Sequence, residues 1–217
     1  MILPIVLEGD PVLRQVAKPQ RKFNRSLLKL MADMLETMYD APGVGLAAPQ
    51  IGLARRIVVI DAGEGDGPLY LVNPEIRERT GAVRAYEGCL SVPGYVGEVE
   101  RYQRVLVHAF DADGRELWLR GEDWLARIFQ HEIDHLDGVL YKDRAFRVVP
   151  DEVYEAEIRA EQEEARRRRG SEEVENSDTE DGKRREAEGT GGAAVHSSEA
   201  SAPAKSGPPR SGTGEGE

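Results

Sequence analysis

The residues best suited to chemistry in this chain are His131, Glu132 and His135, which form the pattern H-E-x-x-H. Residues four positions apart lie on one face of a helix, so both imidazoles can bind the same divalent metal ion. The intervening carboxylate then lies close enough to take a proton from a water molecule that the metal activates. Two of the chain's 4 histidines fall in this segment. The pattern predicts a metal-dependent hydrolase, against the alternative of a solvated helix face with two incidental histidines.

A catalytic metal site needs a third protein ligand. Cys89, in the sequence E-G-C-L-S, offers a thiolate that binds Zn²⁺ or Fe²⁺ strongly, although most free cysteines are simply small buried residues. Glu155 or Glu157 would serve in a thermolysin-like zinc endopeptidase, but they lie where glutamate is common anyway. The longer protease pattern with a third histidine fails, because Tyr141 occupies that position. From the residues alone, both sources of the third ligand stay open.

Residues 43–52, G-V-G-L-A-A-P-Q-I-G, are rich in small side chains. Such a loop lets a substrate backbone approach closely and can hydrogen-bond an extended peptide. Gln50 offers a side-chain amide N–H to an oxyanion that develops during a reaction. Taken alone, the segment is more typical of a helix stop followed by a tight turn than of a substrate-binding loop.

Three helices are predicted to position these residues. Residues 26–40 carry apolar side chains at helical spacing, with Asn24 or Ser26 as the cap and methionines as core filler. Residues 123–137 carry the two histidines and end before Gly138. We expect the second helix to bury its apolar side chains, Trp124, Leu125, Ile128 and Leu136.

The third predicted helix, residues 150–168, begins with acidic residues and ends in the arginines 166–169, an order that complements the helix dipole. We interpret the arginine run as a solvated helix end, with a contact to RNA phosphates as the alternative.

Short strands are predicted at residues 57–60, 69–72 and 105–110. Helices and strands do not alternate regularly, which favours an α+β fold. We expect small antiparallel or mixed sheets around a central metal-binding helix, with a C-terminal helix and a disordered tail. His108, in a strand pattern, is interpreted as structural, and His196 as incidental.

The composition changes near Gly170, and from there to Glu217 the chain has no Leu, Ile, Met, Phe, Trp, Tyr or Cys. Such a segment cannot bury enough apolar surface to offset its chain entropy. The sequence therefore predicts a catalytic domain at residues 1–169 and a disordered, acidic, low-complexity tail at residues 170–217.

The formal net charge of −11 argues against a general nucleic-acid binder, and we expect no DNA partner. No stretch approaches the roughly 20 apolar residues that span a bilayer, and the N-terminal sequence lacks the basic region of a signal peptide. The single cysteine excludes an internal disulfide and is typical of the reducing cytoplasm.

Three segments in this order, G-V-G-L-A-A-P-Q, E-G-C-L-S and Q-H-E-I-D-H, resemble the signature motifs of bacterial peptide deformylases. The stretches G-D-P-V-L-R and S-V-P-G-Y are also similar to that family, and the resemblance covers roughly residues 1–165. The family removes the formyl group from the N-terminal formyl-methionine of nascent polypeptides and releases formate. The resemblance therefore implies nascent formyl-methionyl peptides as substrate and transient association with the ribosome.

The resemblance also implies roles for individual residues. Cys89, His131 and His135 are expected to bind Fe²⁺, for which Zn²⁺ or another divalent metal can substitute. Glu132 is expected to move the proton. The side chain of Gln50 and the backbone N–H of Leu90 are expected to stabilise the oxyanion.

For substrate binding, the resemblance implies that the loop containing Val44 and Gly45 pairs with the peptide backbone, and that Val44 forms a wall of the methionine slot. Glu87 and Arg101 resemble a charge pair that braces the site, and Asp134 can orient a ligand.

Two other functions compete with a deformylase. A thermolysin-like zinc endopeptidase would bind its metal without Cys89. A non-catalytic, metal-stabilised binding module would need four protein ligands. The sequence does not determine the physiological metal, the oligomeric state or the function of residues 170–217.

Overall fold

The computed structural model describes residues 1–63, 65 and 67–188. By its internal contacts the chain divides into two units, Met1–Gln162 and Glu163–Glu217. The helices are α1 (Arg25–Asp40), α2 (Asp123–Leu136) and α3 (Asp151–Glu188), with short 3₁₀ turns at Pro11–Arg14, Ala48–Ile51 and Tyr141–Asp143. The strands are β1 (Gly45–Ala47), β2 (Ile57–Ile60), β3 (Leu69–Thr80), β4 (Val83–Cys89), β5 (Val92–Arg101), β6 (Arg104–Phe110), β7 (Glu116–Glu122) and β8 (Arg147–Pro150).

The strands form two antiparallel sheets in the first unit, a 5-stranded sheet in the order β1-β2-β3-β6-β7 and a 3-stranded sheet in the order β4-β5-β8. The predicted α+β fold and the three predicted strands are confirmed. Within the described residues, strand β1 pairs only with β2, so it forms one edge of the larger sheet.

Both faces of strand β2 are covered, which explains its uninterrupted apolar sequence I-V-V-I. Val58 and Ile60 belong to the core cluster that includes residues of α2, whereas Ile57 and Val59 belong to the cluster that includes residues of α1. Alternate residues of a strand point to opposite faces, so β2 separates the two helices.

Helix α1 begins as predicted, because the side chain of Asn24 accepts a hydrogen bond from the backbone N–H of Leu27. The methionines of its apolar face, Met31, Met34 and Met38, are fully buried and fill the core.

Helix α2 is buried over most of its length, from Ala126 to Leu136 except for the half-buried His131. The predicted burial of Trp124 is wrong, since this side chain is 46% exposed. It lies in the first turn of α2, where it lines a cleft.

The predicted end of the third helix near residue 168 is too early, because α3 continues to Glu188. Residues 170–188 of the predicted tail are therefore helical; six of them are Glu, which favours helix without needing a core. Within the second unit, two ion pairs between residues four positions apart, Glu163–Arg167 and Glu164–Arg168, stabilise the helix. Residues 189–217, including His196, lie outside the described part of the chain, so the disorder predicted for them stays a prediction.

No helix within the described ranges has the length and apolar composition needed to cross a membrane.

Candidate metal centre

Cys89, His131 and His135 meet in the first unit. Cys89 ends strand β4, and the histidines lie one turn apart on α2. One ligand atom from each lies within 4.8 Å of the other two, and Nε2 of His135 is 3.2 Å from Sγ of Cys89. Among the described residues, no other group of three His, Cys, Asp or Glu side chains is placed so that it could hold a metal ion. Glu155 and Glu157 are not in it, and Glu157 binds Arg147 instead.

The chemistry of this group fits a divalent transition metal. A thiolate with two imidazoles is a donor set that binds Zn²⁺ or Fe²⁺. Nδ1 of His131 is 2.6 Å from Oε2 of Glu87, an arrangement that fixes the ring and leaves Nε2 for the metal. Oε2 of Glu132 and Nδ1 of His135 are buried without a hydrogen-bond partner among the described residues. Glu132 lines the cleft, where such an orphaned oxygen is expected if a bound group completes the site, whereas Nδ1 of His135 is not the ring nitrogen that faces Cys89.

A buried charge network holds His131 in place. Arg101 donates to both carboxylate oxygens of Glu87, at 3.0 and 2.8 Å, and Arg127 donates to the same carboxylate at 2.7 Å. Burial by itself raises the pKa of Glu87, but hydrogen bonds from His131 and Arg101 outweigh burial and hold the pKa well below its usual value. The expected pair of Glu87 and Arg101 is therefore present in the structure.

Among the described residues, no hydrogen bond joins the Asp134 carboxylate to either histidine. Its carboxylate accepts hydrogen bonds from Arg101 and from Arg144, the latter at 2.7 Å to each oxygen. Asp134 therefore contacts the site through Arg101, and the expectation that it can orient a ligand stays a prediction.

The two histidines are in different electrostatic environments. Burial lowers the pKa of His131, but hydrogen bonds with Cys89 and Glu87 outweigh burial and raise it. Burial, together with the charge of His131, lowers the pKa of His135 well below its usual value. His135 is therefore neutral and ready to act as a ligand.

Glu132 is a buried carboxylate, and burial raises its pKa to about 7. It packs directly on the backbone of Gly45, where a Cβ atom would lie 2.7 Å from Cδ of Glu132. Sequence analysis assigned Gly45 to substrate binding alone. The structure adds that the missing side chain makes room for this carboxylate.

Gln50 lies in the 3₁₀ turn that follows β1, and its side-chain amide is oriented towards Cys89. Its Oε1 accepts a hydrogen bond from the backbone N–H of Ala47 at 2.8 Å, which fixes the carboxamide. Its Nε2 therefore points to the other side, 3.6 Å from Sγ of Cys89 and 3.3 Å from Oγ of Ser91.

A cleft of about 410 Å³ opens in front of these residues. Cys89, His131 and Glu132 line it, whereas His135 lies behind them. The other predicted site residues on its walls are Val44, Gly45, Gln50 and Leu90. Apolar side chains complete the walls, among them Val92, Trp124 and Ile128. The cleft can accept an extended peptide with an apolar side chain beside the Glu132 carboxylate.

Sequence analysis missed Arg127, which is buried on α2 and donates to Glu87 and to the backbone carbonyls of Val83 and Val99, at 2.9 and 3.1 Å for the carbonyls. The available signal was an arginine within the apolar stretch of that helix, a position where a charge needs partners.

Comparison with known proteins agrees with this geometry. The family model described as Polypeptide deformylase matches residues 2–150. A peptide deformylase of Symbiobacterium thermophilum is 54% identical over 163 residues, which make up 72% of this chain and 75% of that protein. One from Halothermothrix orenii is 51% identical over 147 residues, covering 68% of this chain and 96% of that protein. The crystal structure of peptide deformylase from Thermotoga maritima has a TM-score of 0.66 at 45% identity, covering 68% of this chain and 99% of that one.

Proposed function

The chain belongs to the polypeptide deformylase family, and from this premise we propose how its own residues perform the reaction. It is a metallohydrolase with peptide deformylase activity: it hydrolyses the amide bond between a formyl group and the N-terminal methionine of a peptide, and releases formate.

We propose that Cys89, His131 and His135 hold the metal and that the metal is Fe²⁺, for which Zn²⁺ or another divalent ion can substitute. The proposal is supported by the donor set and by the distances of at most 4.8 Å between the ligand atoms. When bound, the ion supplies Lewis acidity to water and to the formyl oxygen.

Glu132 is the proposed proton carrier. Its carboxylate takes a proton from the attacking water and gives it to the amine nitrogen that leaves as the amide bond breaks. A carboxylate with a pKa of about 7 can both accept and return a proton near neutral pH. The observation that carries this role is the position of Glu132, buried on a wall of the cleft next to His131 in sequence, with Oε2 unpartnered among the described residues.

Gln50 and Leu90 are proposed to stabilise the oxyanion. Because Ala47 fixes Oε1 of Gln50, the amide hydrogens on Nε2 are directed towards Cys89 before substrate arrives. Such preorganised donors contribute most when charge develops in a water-poor site. The backbone N–H of Leu90, on the cleft wall beside Cys89, is the second proposed donor.

The substrate backbone is proposed to bind along strand β1, through Val44 and Gly45. Since β1 is an edge of the 5-stranded sheet, an extended peptide can add to it as a further strand. Main-chain pairing of this kind carries little sequence information. Selectivity for methionine is therefore assigned to the apolar walls, including Val44 and Ile128.

We further propose that the substrates are nascent chains and that the reaction takes place in the cytoplasm, with transient ribosome association. The single cysteine supports a reducing compartment. The catalytic domain is proposed to be residues 1–169, followed by the tail at residues 170–217.

The substitution Glu132→Gln tests the mechanism. We expect bound metal to be retained and formate release from a formyl-Met-Ala-Ser peptide to fall by about 100- to 10,000-fold, the range for loss of a general base. Glu155→Gln is the matched control and should leave turnover unchanged. Near-normal turnover in Glu132→Gln would contradict the proposal. A Cys89→Ala protein that keeps its full metal content and cuts internal peptide bonds would favour the endopeptidase instead.

A further inference from the structure

A second cleft, of about 580 Å³, shares no residue with the cleft at the metal centre. Two segments form it, residues 18–27 before and at the start of α1, and residues 52–55 before β2.

This second cleft is strongly basic. Lys18, Arg21, Lys22 and Arg55 line it, all four are exposed, and no acidic residue is among its described walls. None of the four forms an ion pair within the described ranges of the chain. Most of the other described lysines and arginines do pair with a carboxylate, as Arg56 does with Asp137.

Hydrogen bonds hold the backbone of the two segments that carry the basic residues. Lys18 and Arg55 face each other across a parallel bridge, and the bond from N of Lys18 to the Ala54 carbonyl is 2.9 Å long. The side chain of Asn73 accepts from the N–H of Gln20 at 2.8 Å and donates to its carbonyl at 2.9 Å. The cations therefore project from an anchored surface, which lowers the entropy cost of binding.

The start of α1 adds to the positive potential. Its first turn has no acidic residue, and Arg25 is its first residue. A cation beside the positive end of a helix dipole destabilises the folded protein when no anion is bound there. Arg25 makes no ion pair with any residue that the structure describes. An anion bound nearby would relieve this repulsion.

We propose that this basic cleft binds the phosphate backbone of RNA. Its cations are exposed and come from two separate segments, which suits the successive phosphates of a polymer better than one small buried anion. No aromatic side chain among the described residues lines it, so base stacking is not available there and binding is independent of sequence. The net charge of −11 describes the whole chain and does not oppose a local contact of this kind.

The test measures binding of the full chain to a fluorescent RNA hairpin of about 20 nucleotides over a salt series. Three double variants make the same change in net charge. Arg21→Glu/Arg55→Glu alters the cleft. Arg79→Glu/Arg120→Glu alters exposed arginines of β3 and β7 that also lack ion pairs within the described residues. Arg166→Glu/Arg169→Glu alters the basic run of α3, the alternative RNA contact.

Loss of two phosphate contacts should reduce the slope of log K against log salt by about 1.4–1.8, and affinity at 0.1 M salt by roughly 25- to 60-fold. We expect this loss for the Arg21/Arg55 variant and a much smaller one for the other two. If the cleft variant misfolds, Arg21→Gln/Arg55→Gln should change the slope in the same direction.

Equal losses in the cleft variant and the Arg79/Arg120 variant, or a loss confined to the Arg166/Arg169 variant, would overturn the proposal. So would displacement of RNA by an equal charge concentration of poly-glutamate, which would indicate an acidic protein as the partner. Turnover of a short formylated peptide should be unchanged in the cleft variant. Failure of the RNA proposal is thus separable from failure of the catalytic one.

Discussion

At the scale of single residues, Glu87 determines how the metal centre is held. One buried carboxylate contacts a metal-ligand candidate, His131, and two buried arginines, Arg101 and Arg127. Removing its charge would leave Arg127 buried without a carboxylate partner among the described residues, whereas Arg101 would keep Asp134. A buried charge without its partner costs more free energy than the original pair contributed, because nothing then offsets the penalty of removing that charge from water.

Glu87→Gln should therefore destabilise the metal-free protein by about 3–5 kcal/mol near neutral pH. It should also change the pH dependence of stability. Because the folded pKa of Glu87 is depressed, its contribution is present above the unfolded pKa and is lost as pH falls through the acidic range. The free energy of unfolding, measured in urea between about pH 3 and pH 6, should fall less steeply in the variant. Glu100→Gln, which removes the exposed pair with Arg84, should cost less than about 1 kcal/mol. Parallel pH profiles for Glu87→Gln and the unchanged protein would refute this account.

The residues of the candidate metal site could be proposed from sequence because much of the information is local. His131 and His135 are placed by helical periodicity alone, whereas Cys89 stayed open until the motifs were taken together. The role of Arg127 could not be assigned from sequence, because its partners are distant along the chain. Glu87 lies 40 residues before Arg127, and the Val83 carbonyl is more distant still. Contacts between distant segments depend on the packing of elements, which periodicity does not determine.

At the scale of elements, the site depends on how closely β1 approaches α2. Gly45 is on β1 and Glu132 is on α2, and the carboxylate occupies the space that a Cβ atom would fill. The glycine-rich segment was predicted as a loop or turn, and its three-residue edge strand escaped prediction because so short a run has no periodicity to detect. The longer elements α1, α2 and β2 were predictable, since each has a clear apolar pattern.

Gly45→Ala should therefore displace the Glu132 carboxylate while leaving the metal ligands in place. We expect kcat for formyl-peptide hydrolysis to fall by about 100-fold or more, as for a misplaced catalytic group, with metal content retained. Gly88→Ala is the matched control on the same cleft, because its added Cβ would meet only ordinary contacts, the nearest at 3.7 Å from Val96. A Gly45→Ala enzyme as active as Gly88→Ala would show that β1 and α2 separate easily.

At the scale of the whole molecule, all the proposed site residues lie in the first unit, as do both clefts. Residues 170–217 carry none of the large apolar side chains from which a core is built. Their removal therefore deletes little buried apolar surface, and stability is proportional to such surface. This separates the part of the chain that folds around the metal centre from the part whose role composition alone does not reveal.

A chain ending at Arg169 should accordingly keep the same kcat/KM for a formylated peptide, and its Tm should change by less than about 2 °C, since a loss of 1 kcal/mol shifts the Tm of a domain of this size by roughly 2–4 °C. It should also bind the RNA hairpin as the full chain does, because Lys18, Arg21, Lys22 and Arg55 remain. Activity, thermal unfolding and RNA affinity are measured on the same preparation. A drop in Tm without loss of RNA binding would mean that the helix beyond Arg169 stabilises the catalytic domain. A loss of RNA binding with no change in Tm or activity would indicate that residues 170–217, and not the basic cleft, contact the RNA.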